Sequence, residues 1–585
     1  MRKLVLPALL SGLLCLLHPT ALAAPFTATG LWGVEQSFGS PVHGTLIIDG
    51  RSEPWNAAIG GYLLDVRHRG EHIDFTLPAN RGTFRGTFDE STGEITGQWI
   101  QPPGTLYNTA YATPVVLRRI EPGVWQGAVD PEMERLTLYL DITTKNGDGK
   151  LLGSFRNPGF NFGRDDPYAI NVEGNTITLT STRNKSDTLS AEYQPDQDIL
   201  VLHVRQLDEP LRLTRRDRDS AIAFYPETPA TSGYAYRVPV HEKDGWTTAS
   251  PTAVGLDMKP LKALVERILT THYHGFHTPY IHSLLIARHG KLVLEKYFYG
   301  HNREQTHDIR SAGKTFTGVL VGLALAHDAD FTLDTPVYKL FPQYKHLEHL
   351  DARKRTMTVR DLLTMTSGLN CDDDSDTPGN EETMQRQHEQ PDWYRYTLDL
   401  PMARAPGGTR AVYCTAGINL LGGIVRNTTK TPLPEFFYRY LAHPLGISSY
   451  HINLMPTGRA YMGGGIRMRP RDQLKLGQLY LDGGTWNGRR IVPAAWVRQS
   501  LQVYSRFGPD HGYGFAWHVI NVKSDGNPYR IFEAGGNGGQ FVLIVPKLDL
   551  VVGFTAGNYG DFRTWYPFMT RLVPDYIIPA AMPKK

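Results

Sequence analysis

The chain has 585 residues, with 61 Lys and Arg against 58 Asp and Glu, a formal net charge of +3, and both signs interspersed along its length. That length exceeds what one hydrophobic core supports, so about two or three domains are expected. Near-neutrality gives no electrostatic case for nucleic acid or an anionic membrane as a partner.

Residues 1–23 open on Met1-Arg2-Lys3, run through LVLPALLSGLLCLL and reach Ala21-Leu22-Ala23. This is the pattern of a signal peptide, and it is too short for a membrane span. The protein is therefore expected to be exported, periplasmic or secreted. No later apolar stretch reaches about 18 residues without a charge, so no transmembrane helix is expected. Cys15 lies in the leader and lacks the small preceding residue of a lipoprotein anchor. The other two cysteines, Cys371 and Cys414, would sit in an oxidising compartment as a disulfide or as two buried thiols.

From about Gly30 to Asp217, short Thr, Val, Ile and aromatic runs alternate with Gly, Asn and Asp turn signals, an all-β pattern. Gly30-Leu31-Trp32-Gly33 recurs as Gly123-Val124-Trp125-Gln126-Gly127, and the strand from Pro114 to Arg119 recurs from Pro210 to Arg216. Two similar barrel-like units are predicted side by side, over 27–120 and 121–217, with their tryptophans plugging barrel ends. Contact with a glycan or another protein is the partner role open to them. Residues 218–250 have the Pro, Gly and Ser content of a linker.

The remainder, 251–585, reads as α+β. HSLLIARHG and KLVLEKYFYG form a hairpin, four further strands lie near the C-terminus, and 320–500 is mainly helix and loop between them. A cleft is expected between this antiparallel sheet and its helical insertion.

Ser311-Ala312-Gly313-Lys314 heads the apolar run TFTGVLVGLAL. A serine hydroxyl needs an adjacent base to become nucleophilic, and the i,i+3 relation on a helix puts the lysine amine beside it. An N-capping serine with a solvated lysine would look the same. In PGGTRAVYCTAGINLLGG, Tyr413 stands on a loop entering a helix, either as a proton relay or as a half-buried packing residue. FEAGGNGGQFVLIVP offers Gly535, Gly536 and Asn537 on a strand edge whose N–H groups suit an oxyanion, or else a surface hairpin.

These motifs, with TVRDLLTMTSGL at 358–369, occur in the order seen in the serine β-lactamase-related family, which the chain resembles over about 250–580. The family holds class C β-lactamases, D-alanyl-D-alanine carboxypeptidases, D-amino-acid amidases and family VIII esterases. The resemblance implies a β-lactamase/transpeptidase-type fold with Ser311 as acylated nucleophile, Lys314 as its base and Tyr413 as proton-transfer partner. Thr415 stands where class C enzymes carry Asn, and Ala534-Gly535-Gly536 replaces their Lys-Thr-Gly or His-x-Gly. Loss of a charge-assisted partner costs about 1.5–3 kcal/mol. That turns the expectation from β-lactams towards a carboxylesterase-like hydrolysis of a small-molecule or short-peptide acyl substrate. Arg467 or Arg469 reaching into the cleft would restore the charge.

Two other readings stand beside it: a D-amino-acid peptidase, amidase or weak β-lactamase acting on cell-wall-like substrates, and a non-catalytic envelope binding protein. A Cys371–Cys414 bond would clamp the cleft wall to the tyrosine loop. The acidic run Asp372-Asp373-Asp374 with Asp376, Glu381 and Glu382 reads as a solvated lid rather than a cation site, so no metal or cofactor is expected. His289, His307 and His518 form no close metal pattern and read as structural or superficial.

Overall fold

A computed structural model describes residues 27–582 apart from 40, 107, 145–148, 160–166, 206, 228–232, 274 and 328; the leader and Cys15 lie outside the described residues. Among the described residues no helix is long and apolar enough to cross a membrane.

The N-terminal third is two closed β-barrels, as the alternation and turn spacing predict. Strands such as Trp55–Ile59 and His72–Thr76 bury alternate side chains, the mark of one face on a core. The turn between Trp55–Ile59 and Tyr62–Arg69 is Gly60-Gly61, both at positive φ, which a two-residue hairpin turn of this twist requires.

The strand that closes each barrel comes from the other repeat. Val124–Val129 pairs with Gly44–Asp49 and with Ala110–Glu121, sealing the first ring. Gly30–Ser37, its counterpart at the head of the chain, instead pairs with Arg135–Thr144 and Leu211–Arg216 and seals the second. Trp32 is consequently packed inside the second barrel and Trp125 inside the first, where it stacks on Trp55 at 5.4 Å. These tryptophans fill cores. The exchange fastens the barrels together, because separating them would unpair a whole strand.

The first barrel also runs on into the second half of the chain. Ala110–Glu121 pairs with Tyr450–Leu454, which pairs with Ile466–Met468, which pairs with His307–Asp308. A continuous ladder thus leads from a barrel wall to within a few residues of Ser311. Glu132, between the barrels, forms an ion pair with Arg467, whose Nε is 3.0 Å away, and lies 3.2 Å from His451 Nε2, bracing the junction. The end of the predicted linker is fastened as well: Asp244 pairs with the buried Arg471 at 2.6 Å, and Trp246 is buried with its indole N–H donating to the Arg471 carbonyl.

The C-terminal half is the expected α+β domain. Its nine-stranded sheet has Ile281–Arg288, Leu550–Ala556 and Gln540–Val545 at the centre, all buried nearly throughout, and Asn527–Gly536 beside them. Terminal helices cover one face and the helical insertion the other, so the central strands read as unbroken apolar runs. The helix Gly313–Ala326 is enclosed by the insertion and the sheet, which explains why its sequence is apolar all round.

Candidate active site

Ser311 sits in a single tight turn, Arg310–Ala312, that runs directly into the helix Gly313–Ala326. Arg310, just before it, is held at φ +50°, in the left-handed region a side chain enters only under constraint. The constraint is visible in two glycines. A Cβ on Gly536 would come within 2.4 Å of the Ile309 carbonyl oxygen, and one on Gly464 within 3.2 Å of the Arg310 carbonyl. Both segments press on the turn from opposite sides and admit no side chain there.

One helical turn on, Lys314 is 2% exposed and its Nζ donates to Ser311 Oγ at 2.8 Å. Burial pulls the amine below the ordinary lysine value, opposed by the carboxylates of Glu381 and Asp373. The same Nζ lies 4.9 Å from the centre of the Tyr413 ring. Tyr413 faces Ser311 as well; burial drives its phenol well above the usual range, and the nearby Ser311 hydroxyl pulls the other way. Hydroxyl, amine and phenol therefore converge, although Tyr413 is about a hundred residues from the other two.

Asp373 sets the tyrosine loop. Its N–H donates to the Tyr413 carbonyl at 2.9 Å, and its carboxylate accepts from the amides of Thr415 and Glu381, each at 2.9 Å. The acidic run is solvated at Asp374, Asp376 and Glu382, while the half-buried carboxylate of Asp373 supports the loop. Cys371 and Cys414 are joined by a disulfide beside these bonds, and Cys414 Sγ accepts the Gly417 amide at the start of the helix Thr415–Thr429.

A cleft of about 320 Å³ opens at Ser311, walled by Arg310, Asp308, Glu381, Tyr461 and Asn537 among others. Tyr461 donates to Glu381, and Arg310 pairs with Asp308 at 3.0 Å while lying over the Tyr559 ring. Asn537 lines the cleft, its side-chain oxygen fixed by the Gly560 amide at 2.9 Å. Gly535 and Gly536 end the strand that leads to it. Thr415 does not join the wall: it is 0% exposed, with its methyl against Gly463.

Arg467 and Arg469 do not enter the cleft either. The first is paired with Glu132 and the second with Asp472 and Glu304. The guanidinium groups at the cleft are those of Arg310, which Asp308 answers, and of the exposed Arg386, which pairs with Glu382. His518 belongs to the site's surroundings rather than the surface, stacked 6.2 Å from Tyr413 and hydrogen-bonded to His511 at 2.7 Å. His307 is buried against His282, and His289 is an exposed partner of Asp549.

With this geometry in view, the family model described as Beta-lactamase matches residues 282–566. The chain is similar to a curated relative, the 6-aminohexanoate-dimer hydrolase of Paenarthrobacter ureafaciens, at 24% identity over 310 residues, 50% of this chain and 77% of that protein. Among solved structures it is similar to a penicillin-binding protein homologue from Pyrococcus abyssi at 18% identity, over 54% of this chain and 77% of that one, with a TM-score of 0.44. It is also similar to a D-stereospecific amidohydrolase from Streptomyces sp. at 17%, over 53% and 98%, with a TM-score of 0.40. Residues 282–566 are a β-lactamase/transpeptidase-like domain.

Proposed function

We propose that the chain is a serine hydrolase that cleaves an ester or amide through an acyl-enzyme on Ser311. The observation that carries this reading is the 2.8 Å contact between Lys314 Nζ and Ser311 Oγ, made by a buried amine whose pKa burial lowers. The neutral amine takes the hydroxyl proton as Ser311 Oγ attacks the carbonyl. The amides of Ser311 and Asn537, with the Gly535–Gly536 strand end behind them, receive the oxyanion. Tyr413 passes the proton to the leaving group, and water then releases the acid and restores the serine.

The substrate in this reading is small and polar, because the cleft at Ser311 is lined by charged and hydroxyl groups. An ester is the simplest case; the amide-cleaving relative, a 6-aminohexanoate-dimer hydrolase, supports extending it to amides. Export fits a chain whose two remaining cysteines are bonded. A fluorophosphonate should add one adduct, on Ser311, by intact mass and peptide mapping, and short-chain 4-nitrophenyl esters should turn over. Labelling elsewhere, or no labelling of a folded protein, overturns the reading. Tyr413→Phe should lower kcat/KM about 10²-fold, with the larger loss on substrates whose leaving group needs a proton.

A further inference from the structure

A second buried acid stands near the site with nothing to neutralise it. Glu533 is 6% exposed, and its carboxyl makes no hydrogen bond or ion pair among the described residues. Unpartnered atoms sealed from solvent include His282 Nε2 and Tyr559 Oη but neither Glu533 oxygen, so the acid faces open space. Its strand aims it. Glu533 makes the last pair with the strand His518–Ser524, opposite His518, while its own strand continues to Gly536 against Gln540–Val545 alone. Gly535, two residues on, lacks the side chain that would stand in the way: a Cβ there would be 2.1 Å from Glu533 Oε1. The carboxyl leans along the strand over Gly535, two residues before Asn537 of the cleft wall.

A cluster of aromatic rings lies beside Glu533, near enough for its charge to act on the phenols of Tyr413 and Tyr513. Tyr413 lies 6.0 Å from Phe507, Phe507 5.3 Å from Tyr513, and Tyr513 4.8 Å from His518, which stacks on Tyr413. The titratable groups facing Glu533 come from every neighbouring element, and none brings a positive charge. Burial holds His511 and His518 neutral and pushes the phenols of Tyr413, Tyr513 and Tyr566 up. Lys314, near enough to act on His518, is engaged with Ser311. A carboxyl set among ring faces is the arrangement that binds cations, by charge and by the ring quadrupoles together.

Taking the Ser311 cleft as the acyl site, we infer that Glu533, with the rings of Tyr413, Tyr513 and His518, is a subsite for an ammonium group carried by the substrate beside its scissile carbonyl. Burial pushes the Glu533 carboxyl up to about 8, so the empty subsite holds a proton at neutral pH. A cation favours the ionised form and displaces that proton. Binding of a permanent cation therefore strengthens as pH rises through about 8 and releases a proton below it. An uncharged ligand of the same shape does neither.

Calorimetric titration with choline and with its uncharged isostere 3,3-dimethylbutan-1-ol tests this. Choline should bind at least about tenfold tighter at pH 8.5. The preference should shrink towards pH 6.5, and at pH 7 the heat should differ between phosphate and Tris as a proton is released. Glu533→Gln should cut the preference for choline to the small, pH-independent part that the rings supply and abolish the proton release. Equal affinities in the wild type, or a preference that ignores both pH and Glu533→Gln, overturn the inference. The wild-type pH profile decides even if the variant fails to fold. Neither readout requires turnover, so a failure of Ser311 labelling would sink the acyl-enzyme reading and leave this one to its own result.

Discussion

A Lys314→Met variant should acylate Ser311 about 10³- to 10⁴-fold more slowly than the wild type while keeping its fold. Lys314 is buried, and its direct side-chain partner is Ser311 Oγ, at 2.8 Å. Methionine fills nearly the same volume without a basic atom, so the substitution removes the proton acceptor and little packing. Because burial holds the amine below its ordinary value, taking the charge away should leave the melting temperature unchanged or raise it. The pH dependence gives the sign. The active form is the neutral amine, so the wild-type acylation rate climbs with pH to a plateau at the depressed lysine pKa. Lys314→Arg restores charge and hydrogen bonding but not the function, since a guanidinium does not deprotonate in this range. Time-resolved intact mass after fluorophosphonate addition reads all three proteins. Labelling of Lys314→Met at the wild-type rate would remove Lys314 from the mechanism and leave Ser311 without a base.

The part of this site that was legible in the sequence is the part set by local spacing. Ser311 and Lys314 are one helical turn apart, and that relation survives any tertiary arrangement. The cysteines and the glycine-rich strand carry composition signals that point to bridging and to close backbone approach. Pairings across long intervals were not legible. A strand's alternation fixes which side chains are buried but not which barrel it closes, so the exchange of Gly30–Ser37 and Val124–Val129 leaves no mark in the repeat itself. The same holds for His518 and Glu533, which face each other only through the register of their two strands. Charge density predicts solvation on average, and Asp374, Asp376 and Glu382 follow it, whereas Asp373 is drawn in by the amides of Thr415 and Glu381. Arg467 was an attractive replacement for the missing cation until Glu132, more than three hundred residues earlier, proved to hold it.

Replacing both Cys371 and Cys414 by serine should lower the unfolding free energy by about 4 kcal/mol, from the chain entropy regained when the cross-link is cut. The bond spans a sequence separation of 43, long enough for the constraint on the unfolded chain to be substantial. Serine is the informative choice because Cys414 Sγ also accepts the Gly417 amide at the head of the helix Thr415–Thr429. A serine hydroxyl preserves that cap, while alanine at the same position should cost about 1 kcal/mol more. The cross-link also bears on activity. The bonds from Asp373 to the Tyr413 carbonyl and the Thr415 amide sit between the two cysteines and hold the loop that carries the phenol. With the disulfide gone those bonds remain but the loop opens more often, so kcat should fall severalfold at temperatures well below the melt. Denaturant unfolding of the double-serine, double-alanine and wild-type proteins separates the contributions, with the reduced wild type expected to follow the double-serine variant. A double-serine protein as stable as the wild type would mean that the cleft wall is held by the hydrogen bonds of Asp373 alone.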